Sequence, residues 1–117
     1  MDKTWIDEYC MKKKGVEKDF KVEWQWDRYM INGKLFAAIC HDKQGRPIVT
    51  VKCEPMFGQM MRTEYEEITA GYYMNKEHWN SILLDQGVPQ AVIKEMIDMS
   101  YSLIVKSLPK KQQAELI

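Results

Sequence analysis

The side chains that could catalyse a reaction or hold a metal are few in this sequence of 117 residues. Thiols and imidazoles are the usual nucleophiles, neutral-pH bases and zinc ligands, and the sequence contains Cys10, Cys40, His41, Cys53 and His78. Cys40 and His41 are adjacent, and adjacent side chains of a strand point to opposite faces, so they cannot readily share a metal ion. We therefore predict no catalytic residue, no metal site and no cofactor.

Cys53 is the thiol whose position comes nearest to a reactive one. It precedes Glu54 and Pro55 at an expected helix start, where the helix dipole lowers the pKa of a thiol. The alternative is that Cys53 is a small buried apolar residue at the end of a strand. No glycine-rich phosphate loop and no HExxH or GxSxG pattern accompanies it, so a protein that is not an enzyme is expected.

Composition narrows the class of protein further. The 17 Lys and Arg balance the 17 Asp and Glu, and 45% of the residues are hydrophobic. Such a chain is expected to fold as one domain over residues 1–117 and not to be disordered. The cysteines are odd in number and form no CxxC pair, and no segment is apolar enough to cross a bilayer. We expect a cytoplasmic protein with free thiols and no membrane partner.

The zero net charge argues against a protein that wraps nucleic acid mainly by electrostatics, but it leaves a local basic face open. Residues 31–60 form the acid-poor stretch of the chain, with four Lys or Arg against two Asp or Glu. Its cations are Lys34, Lys43, Arg46 and Lys52. The neighbouring run Lys12 to Lys14 is interpreted as the last turn of a helix, where the helix dipole favours cations.

Apolar residues at helical spacing predict three helices. The first covers residues 3–14 and stops at Gly15, and the second begins at Pro55 and ends near Tyr65. The third follows Pro89, carries an apolar stripe as far as Leu108 and stops at Pro109.

Alternation and turn residues predict the strands. Residues 20–26 alternate between apolar and polar and predict the clearest half-buried strand. Asn32-Gly33 predicts a tight hairpin between residues 28–31 and 34–40, and the turn at residues 42–47 leads to a strand over 48–53. Residues 68–74 and 78–84 read as two further strands. The order α-β-β-β-α-β-β-α predicts an α+β fold, with an antiparallel sheet of about five strands packed against helices.

One stretch is more specific than the rest, because two Tyr, a Trp, a His, two Asn and a Lys crowd between Ala70 and Asp85. Its residues, in a pattern GYxMNKxHWN, are Gly71, Tyr72, Met74, Asn75, Lys76, His78, Trp79 and Asn80. Together with VKCEP at 51–55, SYSLIVKSLPKK at 100–111 and KGVEKDF at 14–20, this pattern resembles the MmcQ/YjbR family, and the resemblance covers nearly the whole chain.

The resemblance implies a small cytoplasmic bacterial α+β domain, similar to secretion-chaperone-like or frataxin-like sandwiches. It implies no catalytic residue. Members of the family are proposed to bind DNA through two hairpin wings that present a basic face to the duplex. This chain departs from the family pattern with Lys14 in place of a Pro, Tyr73 in place of a His and Glu77 in place of a basic residue, and the last two changes lower the positive charge near the motif.

Two functional hypotheses follow. The first is DNA binding through the Lys43 and Arg46 hairpin and the Lys76 and His78 turn, with Lys34 and Lys52 on the strands beside them. The second is a protein-interaction module that uses the face or an edge of the sheet. A monomer is expected in both.

The residues of the motif also have a structural interpretation. Tyr72 and Trp79 are large aromatic residues of the kind that packs a small core. Asn75 and Asn80 can close a turn through hydrogen bonds from side chain to backbone.

Overall fold

The helices and strands are those of an α+β protein, as the sequence predicts. The computed structural model describes residues 4–71, 75–84 and 87–116. The elements are α1 (Thr4–Met11), β1 (Val16–Lys21), β2 (Trp26–Ile31), β3 (Lys34–His41), β4 (Pro47–Lys52), α2 (Pro55–Glu64), β5 (Ile68–Ala70), β6 (Trp79–Leu83), α3 (Gln90–Lys106) and α4 (Lys110–Glu115). No helix among the described residues is long and apolar enough to cross a membrane.

The six strands form one antiparallel sheet in the order β1-β2-β3-β4-β6-β5. The predicted hairpin between β2 and β3 is confirmed, because Asn32 and Gly33 take φ angles of 48° and 80°, the left-handed conformation that this tight turn requires. The main core lies on one face of the sheet, where Ile6 of α1, Met61 of α2 and Ile97 of α3 are buried together with strand residues. The helices therefore cover one face of the sheet.

The predicted strand over residues 20–26 is wrong. Phe20 and Lys21 end β1, residues 22–25 form a turn, and Trp26 begins β2. Gln25 has a φ of 59°, so a residue other than glycine takes the left-handed position that closes this hairpin. The sheet consequently has six strands, because β1 begins directly after Gly15.

Other predicted elements also have different ends in the structure. Helix α1 ends at Met11, so the run Lys12 to Lys14 lies beyond it. Helix α3 ends at Lys106, before the predicted stop at Pro109, and the chain forms the short helix α4 after this proline. Strand β5 covers residues 68–70 of the predicted 68–74, and residues 72–74 lie outside the described part of the chain.

A serine of α3 completes backbone hydrogen bonds between β3 and β4, beside a bulge in β3. Tyr29 pairs with Ala37 and Met30 pairs with Leu35, so Phe36 is an extra residue without a partner in β2. The hydroxyl of Ser100, which is fully buried, donates a hydrogen bond of 2.5 Å to the carbonyl of Phe36. The backbone N–H of Lys52 donates to the same hydroxyl at 2.9 Å. Ser100 thus joins β3, β4 and α3 at one point.

A second polar contact joins α1 to the sheet. The carboxylate of Asp7 accepts hydrogen bonds from the ammonium of Lys18 at 2.6 Å and from the hydroxyl of Tyr29 at 2.7 Å. The hydrogen bond from Lys18 lowers the pKa of Asp7, burial opposes this shift, and the hydrogen bond from Tyr29 lowers the pKa further. The net result is a carboxylate that stays charged below its usual pKa.

Replacement of Ser100 tests the role of the bulge contact. Ser100→Ala leaves the Phe36 carbonyl and the Lys52 N–H without their partner in a buried place, and we expect the free energy of unfolding to fall by about 2–3 kcal/mol. Urea unfolding measures this loss. Ser102→Ala, an exposed position on the same helix, is the matched control and should change the stability by less than about 0.5 kcal/mol. Equal effects of the two changes would contradict the bridging role.

The Asp7 contact predicts a dependence of stability on pH. Because the pKa of Asp7 is lowered in the folded protein, the stabilisation is complete above the unfolded value of 3.8 and is lost as the pH falls through the folded value. We expect Asp7→Asn to destabilise the protein by about 1 kcal/mol at neutral pH, and this difference should shrink below pH 3.8. Thermal unfolding of both proteins between neutral and acid pH measures it. A difference that does not change with pH would argue against a charged contact.

Candidate nucleic-acid interface

The six residues that the sequence proposes as DNA ligands lie at opposite ends of the sheet. Lys43 and Arg46 lie in the turn between β3 and β4, directly beyond the pair Cys40 and Ile48. The turn at residues 22–25 lies at the same end of the sheet, because it precedes Trp26, and β2 runs antiparallel to β3. We call this the tip end. Lys34 begins β3 at the other end, and eight strand residues at about 3.4 Å each place about 25 Å between the two turns.

Lys52, Lys76 and His78 lie at the same end as Lys34. Lys52 is the last residue of β4 and pairs with Trp79, the first residue of β6, and Lys76 and His78 immediately precede that strand. The two turns that were expected to form a pair of wings, residues 42–47 and 75–78, are therefore at opposite ends of the sheet.

The cations at the tip end are balanced by carboxylates. Asp42 accepts hydrogen bonds from the backbone N–H groups of Gln44 and Arg46, and the Arg46 guanidinium donates to its second oxygen at 2.8 Å. Burial raises the pKa of Asp42, but these contacts outweigh burial and leave the pKa below its usual value. The charges of the two hairpins at this end are four positive and four negative: Lys21, Arg28, Lys43 and Arg46 against Asp19, Glu23, Asp27 and Asp42.

The opposite end collects lysines from separate parts of the chain. The ammonium of Lys34 lies 3.4 Å from the carbonyl and 3.3 Å from the hydroxyl of Ser107, directly after α3. Asn32 donates to Gln112 of α4 at 3.0 Å, and Tyr101 of α3 donates to the Lys14 carbonyl at 2.5 Å. These contacts bring the start of β1, the turn before β3 and the junction between α3 and α4 to one place.

We call this surface the lysine end. Its lysines are Lys14, Lys34, Lys52, Lys76, Lys106, Lys110 and Lys111. The carboxylates at the same end, among the described residues, are Glu17, Glu54, Glu77 and Glu115. Seven positive and four negative charges leave an excess of three positive charges, in a protein whose formal net charge is zero.

Most described residues of the GYxMNKxHWN motif have structural roles at this end of the sheet. The N–H of Gly71 donates to the Trp79 carbonyl at 2.6 Å, and a Cβ atom on residue 71 would lie 2.7 Å from the Cβ of Trp79. The side chain of Asn75 accepts the N–H of Glu77 at 2.9 Å and so closes the turn, as the structural interpretation predicts. Tyr72 and Met74 lie outside the described residues.

Asn80 has a role that the sequence does not reveal. It is fully buried on the helix side of the sheet, where its side-chain oxygen accepts a hydrogen bond from the guanidinium of Arg62 in α2. A Cβ atom on Gly58 would lie 2.9 Å from the amide nitrogen of Asn80, so only glycine allows α2 to approach this closely. Asn80 therefore holds α2 against β6 and does not only close a local turn.

Cys53 is a buried residue and not an activated thiol. Its side chain is fully buried, and burial raises its pKa to about 12, although a hydrogen bond with Asn80 and the charge of Arg62 act in the opposite direction. Cys10 is also fully buried, and its pKa is raised to about 12, mainly by burial. No group of three or more His, Cys, Asp or Glu within residues 4–71, 75–84 and 87–116 could hold a metal ion.

The fold and its surfaces define a small α+β protein with helices on one face of a six-stranded sheet and lysines concentrated at one end. The chain matches the YjbR family model over residues 11–103 and belongs to this family, which confirms the resemblance found in the sequence. It is 28% identical over 110 residues to the uncharacterized protein YjbR of Escherichia coli K12, covering 94% of this chain and 92% of the relative. It is 31% identical over 119 residues to the uncharacterized protein YbdF of Escherichia coli O157:H7, covering 97% and 95%.

Solved structures share the fold. The crystal structure of Deinococcus radiodurans protein DR2400, which carries a DUF419 domain, superposes with a TM-score of 0.85 at 22% identity, over 95% of this chain and 84% of the other. A crystal structure of a Pseudomonas syringae protein superposes with a TM-score of 0.74 at 22% identity, over 88% and 98% of the two chains.

The burial of the cysteines predicts their reactivity. Cys10, Cys40 and Cys53 are at most 1% exposed, so we expect a thiol reagent such as DTNB at pH 8 to leave the native protein unmodified and to modify all three residues after denaturation. Absorbance of the released thiolate measures the number of reacted thiols. A Cys53 that reacts faster in the native than in the denatured protein would restore the interpretation of an activated thiol.

Proposed function

We propose that this protein is a cytoplasmic, non-enzymatic and monomeric DNA-binding protein whose binding surface is the lysine end. The observation that carries the proposal is the excess of three positive charges that the fold gathers there from separate parts of the chain. Phosphates of a nucleic acid backbone attract such a surface, and each contact releases a condensed counterion. The family resemblance points to the same ligand.

The proposed contacts differ in how rigidly the protein holds them. Lys34 lies against Ser107, so its ammonium is positioned by the end of α3. Lys76, Lys110 and Lys111 are exposed and can follow the backbone of a bound strand. A lysine ammonium is a point charge on a flexible stem, and it contacts phosphate without reading a base. We therefore propose binding that depends on salt and little on base sequence.

This proposal retains part of the wing hypothesis. Lys34, Lys52, Lys76 and His78 remain in the proposed surface, because they share one end of the sheet. Lys43 and Arg46 fall outside it, and Arg46 is already paired with Asp42. The three free cysteines are consistent with the proposed location in a reducing compartment.

A protein-interaction module is the second candidate function, and the hairpin between β1 and β2 favours it. Phe20, Val22 and Trp24 at this hairpin are 49%, 65% and 55% exposed. The edges of the sheet are poor docking sites, because β5 has three residues and four of the six residues of β1 are charged. A protein partner would therefore dock on the apolar tip end and not by strand addition.

The DNA proposal predicts that the affinity for DNA depends on the positive charges of the lysine end. We expect the Lys76→Gln, Lys110→Gln and Lys111→Gln triple variant to bind a labelled duplex more weakly than the wild type at low salt. The slope of log affinity against log salt should fall by about 0.9 for each phosphate contact that is lost. Fluorescence anisotropy over a series of salt concentrations, with duplex and single-stranded DNA, measures both quantities.

The control variant removes the same number of positive charges from the tip end, by Lys21→Gln, Lys43→Gln and Arg46→Gln. We expect it to keep the affinity and salt slope of the wild type. Equal losses in the two triple variants would show an effect of net charge alone and would contradict the assignment to the lysine end. A wild type that fails to bind DNA at low salt would exclude the DNA proposal and leave the apolar tip as the surface to test.

A further inference from the structure

The face of the sheet that points away from the helices is open. Its cluster of buried apolar residues consists of Trp26, Ala38, Cys40 and Ile48, with Leu35 and Leu83 packed against them. All six belong to strands, so no helix in the described part of the chain contributes to this cluster. We call this surface the open face.

Trp79 and Lys52 lie on the open face, at the lysine end. The hydroxyls of Thr50 and Ser81 are 3.0 Å apart, and Thr50 also contacts the Cys40 thiol on this face. Lys52 follows Thr50 by two residues, so its side chain points to the same face. Trp79 precedes Ser81 by two residues and does likewise. The two residues are direct partners across β4 and β6.

Trp79 is a large aromatic residue that the core does not use. It is partly exposed, and among the described residues it belongs to neither of the two clusters of packed apolar side chains. Its neighbour on one side is Lys52. On the other side lies Gly71, which has no side chain and whose N–H donates to the Trp79 carbonyl. Neither neighbour across the sheet supplies an apolar residue to cover the indole ring.

Two further side chains continue the same margin of the open face. Met30 and Leu35 pair with each other across β2 and β3, and both are partly exposed. Leu35 lies next to Lys52, because both follow the pair Ala38 and Thr50 on this face. We call Met30, Leu35, Lys52 and Trp79 the open-face margin. Neighbouring strands lie about 4.8 Å apart, so the margin is about 14 Å wide from β2 to β6.

The open-face margin favours unpaired bases over a duplex. In a duplex the faces of the bases are stacked on each other, whereas the bases of a single strand can stack on an aromatic side chain. The turns at residues 42–47 and 75–78 lie at opposite ends of the sheet, so they cannot form a pair of wings around one duplex at the lysine end. A partly exposed indole beside lysines suits a single strand, because the lysines contact its phosphates and the ring contacts a base.

We propose that the open-face margin makes the lysine end a site for single-stranded DNA. Trp79 stacks on a base, Lys52 contacts a neighbouring phosphate, and Met30 and Leu35 form an apolar surface for the next base. Lysines such as Lys76 hold the phosphates at the rim of the sheet. This inference rests on the proposed DNA binding and adds the class of DNA that is bound.

The contribution of the bases can be separated from that of the phosphates. The probes are labelled oligothymidine, an abasic oligonucleotide of the same length, which keeps the phosphates and lacks the bases, and a duplex. In fluorescence anisotropy at one salt concentration, we expect oligothymidine to bind about tenfold more tightly than the abasic strand, and more tightly than the duplex. The slopes of log affinity against log salt should be equal for the two single strands, because their phosphate contacts are the same.

The outcomes distinguish this inference from the proposed function. Equal affinities for oligothymidine and the abasic strand, or tighter binding of the duplex, would overturn the single-strand inference and leave DNA binding by the lysine end in place. A wild type that binds none of the three probes at low salt would overturn both.

Variants of two tryptophans locate the stacking. We expect Trp79→Leu to bind oligothymidine about as weakly as the abasic strand with an unchanged salt slope, and Trp79→Phe, which keeps a ring, to retain most of the preference. The control Trp24→Leu removes an exposed indole at the tip end and should keep the preference of the wild type. A Trp79→Leu protein with the wild-type preference, or equal losses in the two leucine variants, would contradict the role of Trp79. The comparison of the two strands on the wild type tests the inference independently of whether Trp79→Leu folds.

Discussion

The contact of Ser100 with the sheet is the constraint on which the arrangement of the lysine end depends. The pairing of β3 with β4 stops at Ala37 and Val51, beside the extra residue in β3, and the next carbonyl and N–H, of Phe36 and Lys52, would be costly to bury without partners. The Ser100 hydroxyl pairs with this carbonyl and with the N–H of Lys52, and so fixes α3 against both central strands. Phe36 packs edge-on against Tyr101, the next residue of α3, at 5.5 Å between ring centres. Ser107, two helical turns after Ser100 and directly after α3, contacts the ammonium of Lys34. A contact that satisfies the backbone thus also places the end of α3 beside the start of β3.

The motif that identifies the family describes, in physical terms, how β5, β6 and α2 fit together. Gly71 and Gly58 are both positions where a Cβ atom would collide with a residue of β6. Asn80 takes its hydrogen bond from Arg62 at the point where Gly58 allows the approach. These residues are far apart in sequence, but they touch in the fold, so the residue type at each position restricts the residue types that its neighbours can have. Packing therefore explains Gly71 and Asn80 of the motif, while Lys76 remains exposed at the turn.

Several elements could be predicted from the sequence because their signals are local. Asn32-Gly33 specifies a turn, Pro55 suits the first position of a helix, and the stripe before Pro109 identifies α3. The hairpin at residues 22–25 escaped prediction because its apolar and polar residues continue the alternation of a strand, and Gln25 gives no sign that it takes a positive φ. The sequence does contain a signal for the close approach of α2 to Asn80, namely Gly58 inside the predicted helix. A glycine inside a helix costs about 1 kcal/mol of stability relative to alanine, so such a glycine usually has a packing reason.

The charge balance shows what composition cannot reveal. Equal numbers of acidic and basic residues exclude a uniformly basic protein, but they do not fix where the charges lie. The tip end pairs its charges within hairpins, as between Asp19 and Arg28 at 2.6 Å and between Asp42 and Arg46. These partners are close in sequence and in space, so their fields cancel locally. The lysines of the other end come from separate segments, and no count along the chain could reveal that the fold brings them together. Because screening limits interactions between exposed charges to about 10 Å at 0.1 M salt, a ligand at the lysine end responds to the charges there and little to the charges of the tip end, about 25 Å away.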